Sequence, residues 1–515
     1  MYVTHSLHRS VQRDPGRLMT IHGERSVTVT ESVQRIARLA GALRGLGLAA
    51  DDRVGILALN SDRYHEYLLA CAWGGLVAVP LNTRWTVSEN AFAITDAGLG
   101  VLLVDDEFAP LTGPLMERCP ALTTLVHCGE GMPGPGLLSY EELLAAAEPV
   151  EDLRRGGTDL FGIFYTGGTT GRAKGVMLSH DNVLCSALGV LATHPVVTDR
   201  GRLLHAAPMF HLADIFAWFM GLLRESTHVM VPAFDPAAVI RTIERHRVTE
   251  SLLVPTMLQL LADHPDTAAA DLSSVQHVIY GASPMPDAVL ERSMRLFPQA
   301  GFAQGYGMTE LSPIATVLLP EDHADPVRRR SAGRSTASSE VRVVDPDDTE
   351  VDRGTVGEVV ARGGNVMLGY WNRPDETREA LRGGWMHTGD MGYMDDAGYV
   401  FIVDRIKDMI VTGGENVYSV EVEKAVARHP SVAAVAVIGV PDPTYGERVH
   451  AVVVLRPDAA VAAGELTDLC REHIANYKIP RSFEFVAALP VSGAGKVLKR
   501  DLRAAHWANQ ERKVH

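Results

Sequence analysis

Between residues 53 and 104, short apolar runs alternate with helical patterns at close spacing, and that alternation restricts the chain to an α/β architecture. RVGILAL (53–59) reads as a buried strand, YHEYLLACAWGG as a helix and LVAVPL as a second strand. VSENAFAITDAG then reads as a helix and VLLVDD as a third strand. Strands that are apolar on both faces and joined through helices are crossover-connected, so they build a parallel sheet covered on both sides. Ahead of them, residues 29–47 carry helical apolar periodicity and stop at glycine.

The same logic organises the rest of the chain. The uncharged stretch from Tyr67 to Thr83 contains Gly74, Gly75 and Pro80, and reads as a buried helix running into a strand rather than a membrane span. Residues 130–157 are rich in Gly, Pro and Glu and read as a surface connection. The α/β pattern resumes with LFGIFY (160–165), a Gly/Thr run, the helical SHDNVLCSALGVLATH, and two further pairs around RHRVTESLLVPTMLQLLADH and SSVQHVIYGAS. After about residue 331 the runs become short β segments: EVRVVD, GEVVAR and GYVFIVD. From about 408 a smaller α+β unit follows, ending in a basic helix. A chain of 515 residues is too long for one hydrophobic core, so at least two domains are expected.

The net charge of −15 argues against a nucleic-acid binder, which needs a basic face, but leaves room for a local cationic site. Five cysteines without a CxxC pair read as reduced thiols, with no zinc spacing among them. The first residues, MYVTHSLHRSVQRDPGR, lack an apolar core, so a secretory leader is not expected and a cytoplasmic enzyme is.

The chemistry concentrates in YTGGTTGRAKG, from Tyr165 to Gly175. Three threonine hydroxyls, four glycines, Arg172 and Lys174 sit in eleven positions, read as following a strand and preceding a helix. Glycines let backbone N–H groups converge on an anion; hydroxyls and a lysine add donors and charge. The run is not a P-loop, because the GxxxxGK(S/T) pattern needs a glycine followed by a lysine where this chain has Arg172 and Ala173. Taken alone, it reads more readily as a flexible surface loop than as a phosphate site. Five more strings follow: PMFHLAD (208–214), YGAS (280–283), QGYGMTE (304–310), HTGD (387–390) with DRIKDMI (404–410), and TGGEN (412–416). PVSGAGK (490–496) closes the set. Each has an ordinary structural reading: a core histidine, a turn, a helix cap, a solvated basic tail.

Together, in this order, the strings resemble the acyl-adenylate-forming superfamily, which includes acyl-CoA synthetases, peptide-synthetase adenylation domains and beetle luciferases. The resemblance spans residues 165–496. It implies an α/β fold with a large N-terminal domain of layered α/β subdomains plus a β-rich subdomain (1–404), a hinge (405–409), and a small mobile α+β C-terminal domain (410–515). It implies that Thr166, Gly167, Gly168, Thr169, Thr170, Gly171 and Lys174 cradle the ATP phosphates. Gly281, Ala282 and Ser283 approach the adenine and the acyl end, and Gln304, Gly305, Tyr306, Gly307 and Met308 line the adenosine, with Tyr306 stacked on the base. Thr309 bonds the α-phosphate and Glu310 binds Mg²⁺. Asp390, Arg405 and Ile402 serve the ribose side. His211 gates the carboxylate, Lys407 is the hinge, Gly413 and Gly414 line the tunnel for the CoA arm, and Lys496 reaches the carboxylate and α-phosphate. The acyl pocket falls among His211, Ala213, Ile215, Trp218, Ala282, Gly305, Gly307, Ser312 and Pro313. Asp214 either holds a substrate amine or faces away.

Three positions depart from the usual pattern: Gly167 stands where relatives carry Ser, Ala173 where they carry Pro, and Ser492 where they carry Thr. The implied reaction is ATP- and Mg²⁺-dependent activation of a carboxylic acid to acyl-AMP, followed by transfer to CoA. A medium or long acyl chain is the first expectation and an aryl acid the second. A carrier-protein arm is the alternative acceptor; the TGGENV segment and the lack of a fused carrier favour CoA. No nucleic acid or inserted membrane is expected as a partner, and a homodimer is left open.

Overall fold

The computed structural model describes residues 1–166, 173–283, 285–491 and 497–507. These fall into two compact units: Met1–Val341 with Ala361–Met386, and Arg342–Val360 with the chain from His387 onward.

Among the described residues, two large sheets form the first unit. One is eight-stranded, and its centre runs Leu160–Thr166, Val77–Pro80, Arg53–Leu57, Val101–Val104, Thr124–His127, all parallel. The expected alternation is therefore present. Helices Val29–Gly45 and Val87–Ala97 each open on a reciprocal cap, Thr28 with Glu31 and Thr86 with Glu89, which satisfies otherwise orphaned N–H groups. The stretch from Tyr67 is the helix Asp62–Gly74 running into Val77–Pro80, with Gly75 ending the helix in the left-handed conformation. The second sheet is nine-stranded, with a parallel centre that includes Arg202–His205, Glu250–Leu252, His277–Gly281 and Gly301–Tyr306. No helix is long and apolar enough to cross a membrane among the described residues. All five cysteines are unpaired.

Two expectations need correction. The Gly/Thr run does not lead from a strand into a helix. Lys174–Ser179 is a strand, antiparallel to Leu160–Thr166, with Thr166 opposite Lys174, and the helix His180–Thr193 starts only after it. GVML is too short to announce a strand by period, and it directly precedes the helix cap Ser179. Residues 130–157 are more than a connection. They contain the helix Tyr140–Ala146, whose Tyr140 is buried and donates its hydroxyl to Glu66 Oε2 at 2.7 Å. Glu66 in turn pairs with Arg35 at 2.6 Å. Only Tyr140 and Leu144 signal that helix, four residues apart.

Glu250 stands fully buried in the nine-stranded sheet. Burial pushes its carboxyl up to about 7 from 4.5. Below pH 4.5 both the folded and the unfolded chain hold the proton, and the carboxyl has no effect on stability. Between 4.5 and 7 only the unfolded chain ionises, so stability falls as pH rises, by about 3 kcal/mol in the limit. Glu250→Gln is expected to raise Tm by a few degrees at pH 8 and hardly at all at pH 4.5. Thermal melts at the two pH values check this, and an equal effect at both refutes it.

The second unit holds a five-stranded sheet: Glu415–Val417, Ile410–Thr412, Gly446–Leu455 and Val432–Asp442 in that order, with Ser482–Phe485 also on Gly446–Leu455. Helices Ser419–Val426 and Ala463–Arg471 pack on one face through Val422, Val426, Leu466 and Cys470 against Val437, Val449, Ala451 and Val453. Strands Met386–Met394 and Val400–Arg405 form an antiparallel pair ahead of it. Segment 405–409 lies within this unit, between strand Val400–Arg405 and strand Ile410–Thr412.

Candidate active site

Ligands in open α/β sheets collect beyond the carboxyl ends of the parallel strands. In the first unit, His277–Gly281 and Gly301–Tyr306 end side by side there, with Gly281 opposite Gly305. A Cβ on Gly281 would come within 2.3 Å of the Gly305 carbonyl oxygen, and one on Gly307 within 2.1 Å of the Pro313 carbonyl oxygen. Only glycine permits that approach. Ala282 and Ser312 hold positive φ of 65° and 60°, which L-residues seldom adopt. Gly281 to Ser283 and Gln304 to Thr309 are all half-buried, so this edge presents a strip of small residues with Tyr306 among them.

Glu310 follows in the 3₁₀ turn Thr309–Leu311 and is buried. Its place is set by distant residues. Buried Asn365 donates through its amide to the carbonyls of Leu311, at 3.1 Å, and Ile314, at 2.9 Å. The Met367 N–H donates to the Glu310 carbonyl at 2.9 Å. The Tyr370 hydroxyl donates to Glu310 Oε1 at 2.8 Å. Burial and the adjacent carboxylate raise the Tyr370 phenol, so it stays protonated as a donor. Lys174 Nζ lies 4.9 Å from the Tyr370 ring centre and 2.5 Å from Glu376. Tyr370 thus touches both Glu310 and Lys174, two residues picked from separate strings. Asn365, Tyr370 and Glu376 were missed in the sequence. GYWNRP, a Gly-aromatic run before the helix Pro374–Ala380, is a signal for Tyr370, and Asn365 and Glu376 lie outside it.

Thr166 closes its strand half-buried, while Gly167, Gly168, Thr169, Thr170 and Gly171 lie outside the described residues. Lys496 and Ser492 lie outside them too.

His211 caps the helix Leu212–Leu223, and its Nδ1 accepts the Ala213 N–H at 3.2 Å. His211 and Ala213 are half-buried, whereas Ile215, Trp218, Ser312 and Pro313 are buried. Trp218 donates its indole N–H to His65 Nδ1 at 2.8 Å. The open question about Asp214 is answered by geometry. It is fully buried, 2.7 Å from His205 Nδ1, and His205 Nε2 is 2.9 Å from His228 Nδ1. Asp214 therefore faces into a buried histidine network.

In the second unit, Asp390 and Arg405 stand opposite each other across two strands, and Arg405 Nε is 3.1 Å from Asp390 Oδ1. Ile402 is half-buried on the same strand as Arg405. Lys407 lies in the turn Ile406–Asp408; burial, with Arg405 close by, lowers its ammonium to about 8. Gly413 and Gly414 form the two-residue turn of a hairpin pairing Thr412 with Glu415, with φ of 61° and 85°. Positive φ at both central positions is the I′ geometry that favours glycine, so the hairpin alone requires this pair.

The AMP-binding enzyme family matches residues 7–371, and the AMP-binding enzyme C-terminal domain matches residues 421–496. A feruloyl-CoA synthase of Amycolatopsis sp is 40% identical over 96% of this chain and 97% of its own. A fatty acid–[acyl-carrier-protein] ligase of Streptomyces coeruleorubidus is 34% identical over 98% of this chain and 96% of its own. Among solved structures, ATP-bound MatB from Rhodopseudomonas palustris superposes with a TM-score of 0.89 at 30% identity, covering 99% of both chains. With family matches over both parts of the chain and similarity running nearly end to end, this protein belongs to the AMP-binding enzyme family, the acyl-adenylate-forming enzymes.

Proposed function

We propose that the protein is an AMP-forming acyl-CoA synthetase acting on an aryl acid of the hydroxycinnamate type. The observation that carries the adenylation is the glycine-lined strand edge Gly281/Gly305 running directly into Thr309 and the buried, Tyr370-anchored Glu310. A carboxylate flanked by a hydroxyl suits the Mg²⁺ that accompanies ATP, which prefers oxygen ligands. Bound there, Mg²⁺ neutralises charge on the phosphates. Tyr370 holds the Glu310 carboxylate in place for it.

In the proposed reaction the substrate carboxylate oxygen bonds to the α-phosphorus of ATP and pyrophosphate leaves. The CoA sulfur then bonds to the acyl carbon and AMP leaves. Thr166 and Lys174 supply donors and charge to the phosphates, with Gly167 to Gly171 contributing backbone N–H groups and Thr169 and Thr170 their hydroxyls. Asp390 and Arg405 hold the ribose hydroxyls. His211 closes on the carboxylate. Lys496 offsets the charge that builds as two anions meet. Rotation about Lys407 exchanges Lys496 for Gly413 and Gly414, dividing the two half-reactions. No protein nucleophile is required, because acyl-AMP is itself the activated species.

The choice of acid departs from the first sequence expectation. A medium or long fatty acid came first there; the similarity to feruloyl-CoA synthase moves an aryl acid ahead. Asp214, turned into its histidine network, also speaks against an amine-bearing substrate. The test is pyrophosphate release over hydroxycinnamates, benzoates, fatty acids and amino acids, with and without CoA. We expect a kcat/KM at least roughly tenfold higher for a hydroxycinnamate than for any fatty acid, about 1.4 kcal/mol of discrimination. A fatty acid in front refutes the aryl assignment. Carrier-bound product without acyl-CoA refutes the acceptor. No pyrophosphate with any acid refutes the enzyme.

A further inference from the structure

The outer face of the five-stranded sheet in the second unit carries polar residues that adenylation does not use. Side chains alternate along a strand. On Gly446–Leu455 that alternation sends Val449, Ala451 and Val453 into the core, with Phe483 of the neighbouring strand packed beside them. It sends His450 to the opposite face. Strands Gly446–Leu455 and Ser482–Phe485 run parallel with His450 opposite Ser482 and Val452 opposite Glu484, so His450, Ser482 and Glu484 share that face. The helix Lys499–Trp507 supplies a second imidazole: the His450 and His506 ring centres are 5.0 Å apart.

Three ligand atoms converge here. His450 Nε2 is 3.6 Å from Glu484 Oε2, His506 Nε2 is 4.0 Å from the same oxygen, and one ligand atom from each residue lies within 4.8 Å of the others. His450 is only 5% exposed, and its Nε2 has no hydrogen-bond partner. Its other nitrogen, Nδ1, is 2.8 Å from the Ser482 hydroxyl. That contact orients the ring and aims Nε2 at Glu484 and His506. A buried ring nitrogen that makes no hydrogen bond and has only a carboxylate at 3.6 Å calls for an explanation, and a hydrogen-bonded Nδ1 fixes ring orientation as outer-shell partners of ligating histidines do.

We propose that His450, Glu484 and His506 bind one divalent transition-metal ion, Zn²⁺ foremost. Two imidazoles and a carboxylate suit borderline cations such as Zn²⁺; Mg²⁺ and Ca²⁺ prefer all-oxygen sets. Tetrahedral zinc at about 2.0–2.1 Å from each ligand sets those atoms roughly 3.4 Å apart. Closing from 3.6 and 4.0 Å needs small movements, and Glu484 (52% exposed) and His506 (32% exposed) can make them while buried His450 stays fixed. Water completes the shell on the exposed side. The ion ties the last turn of the terminal helix to the sheet. The same helix is already held through Lys499 on Glu423 at 2.7 Å and Arg503 on Asp408 at 2.8 Å. It begins three residues after Lys496 in the chain, so occupancy of this site steadies the element that follows the proposed catalytic lysine.

The test uses full-length, tag-free protein stripped with a chelator and titrated with Zn²⁺. Calorimetry and elemental analysis read stoichiometry, Co²⁺ substitution reads coordination geometry from its visible spectrum, and melts read stability. The chain has 20 histidines, so wild type is compared with His506→Ala and Glu484→Gln, changed at side chains 32% and 52% exposed, with circular dichroism of each variant checking that it folds. We expect one equivalent bound by wild type, roughly tenfold or weaker affinity in each variant, and a Zn²⁺-dependent rise in Tm in wild type alone. Equal binding by wild type and His506→Ala, or no saturable binding by wild type up to about 100 μM, overturns the site.

Discussion

Lys496→Ala is expected to lose acid-dependent pyrophosphate release by about 10²–10³-fold while leaving thioester formation from supplied acyl-AMP within a few-fold of wild type. The reason is the meeting of two anions. A substrate carboxylate must approach a phosphorus that already carries negative oxygens, and the transition state gathers more charge there. One ammonium at about 4 Å offsets roughly 4 kcal/mol at an effective dielectric near 20, which is close to a thousandfold in rate. The second half-reaction has no such build-up, since a thiol attacks a mixed anhydride and AMP departs. Lys496→Arg keeps the charge but spreads it over a planar fork, so partial recovery only is expected. Quenched-flow measurement of pyrophosphate and of thioester from synthetic acyl-AMP separates the two steps. A folded Lys496→Ala that fails in both, or that adenylates normally, removes Lys496 from this role. Lys496 lies outside the described residues, and its position in PVSGAGK carries the prediction.

Glu310→Gln is the second large effect. Glutamine matches the shape and can still accept the Tyr370 hydroxyl at the position where Oε1 now does, so the fold around Asn365 and Met367 is retained. What disappears is one negative charge at a buried position. Adenylation is expected to fall about 10²-fold, with a higher Mg²⁺ concentration needed for half-maximal rate. Tyr370→Phe separates charge from positioning. It leaves the carboxylate and removes one charge-assisted hydrogen bond, at the lower end about 1.5 kcal/mol, so a loss near tenfold and a smaller shift in Mg²⁺ dependence are expected. Pyrophosphate release across a Mg²⁺ titration checks both variants. If Glu310→Gln stays within threefold of wild type at every Mg²⁺ concentration, Glu310 does not hold the ion.

The sequence by itself determined the layers. Apolar runs such as VLLV at 101–104, four residues long, β-branched and bounded by helical patterns, read as strands covered on both faces, and the helices between them favour parallel pairing, as the structure has it. The helices over 29–45 and 87–97 were legible because apolar periodicity and a closing glycine are local rules about neighbouring residues. The tertiary structure alone decided the rest. Period shows which way a side chain points from its own element, but not which element lies opposite. Asn365 and Tyr370 brace the Glu310 turn from 54 and 60 residues away along the chain. Asp214 turned out to answer to His205 rather than to a substrate, because helix Leu212–Leu223 rests its polar first turn on strand Arg202–His205. The Gly/Thr run proved to end in a hairpin because Lys174–Ser179 finds its partner in Leu160–Thr166, and a six-residue segment has no period of its own to reveal that. His450, Glu484 and His506 meet only because two strands pair in one register and a helix lies over them. Pairing of this kind is set by burial and chain closure across the whole unit, and no stretch of sequence encodes it locally.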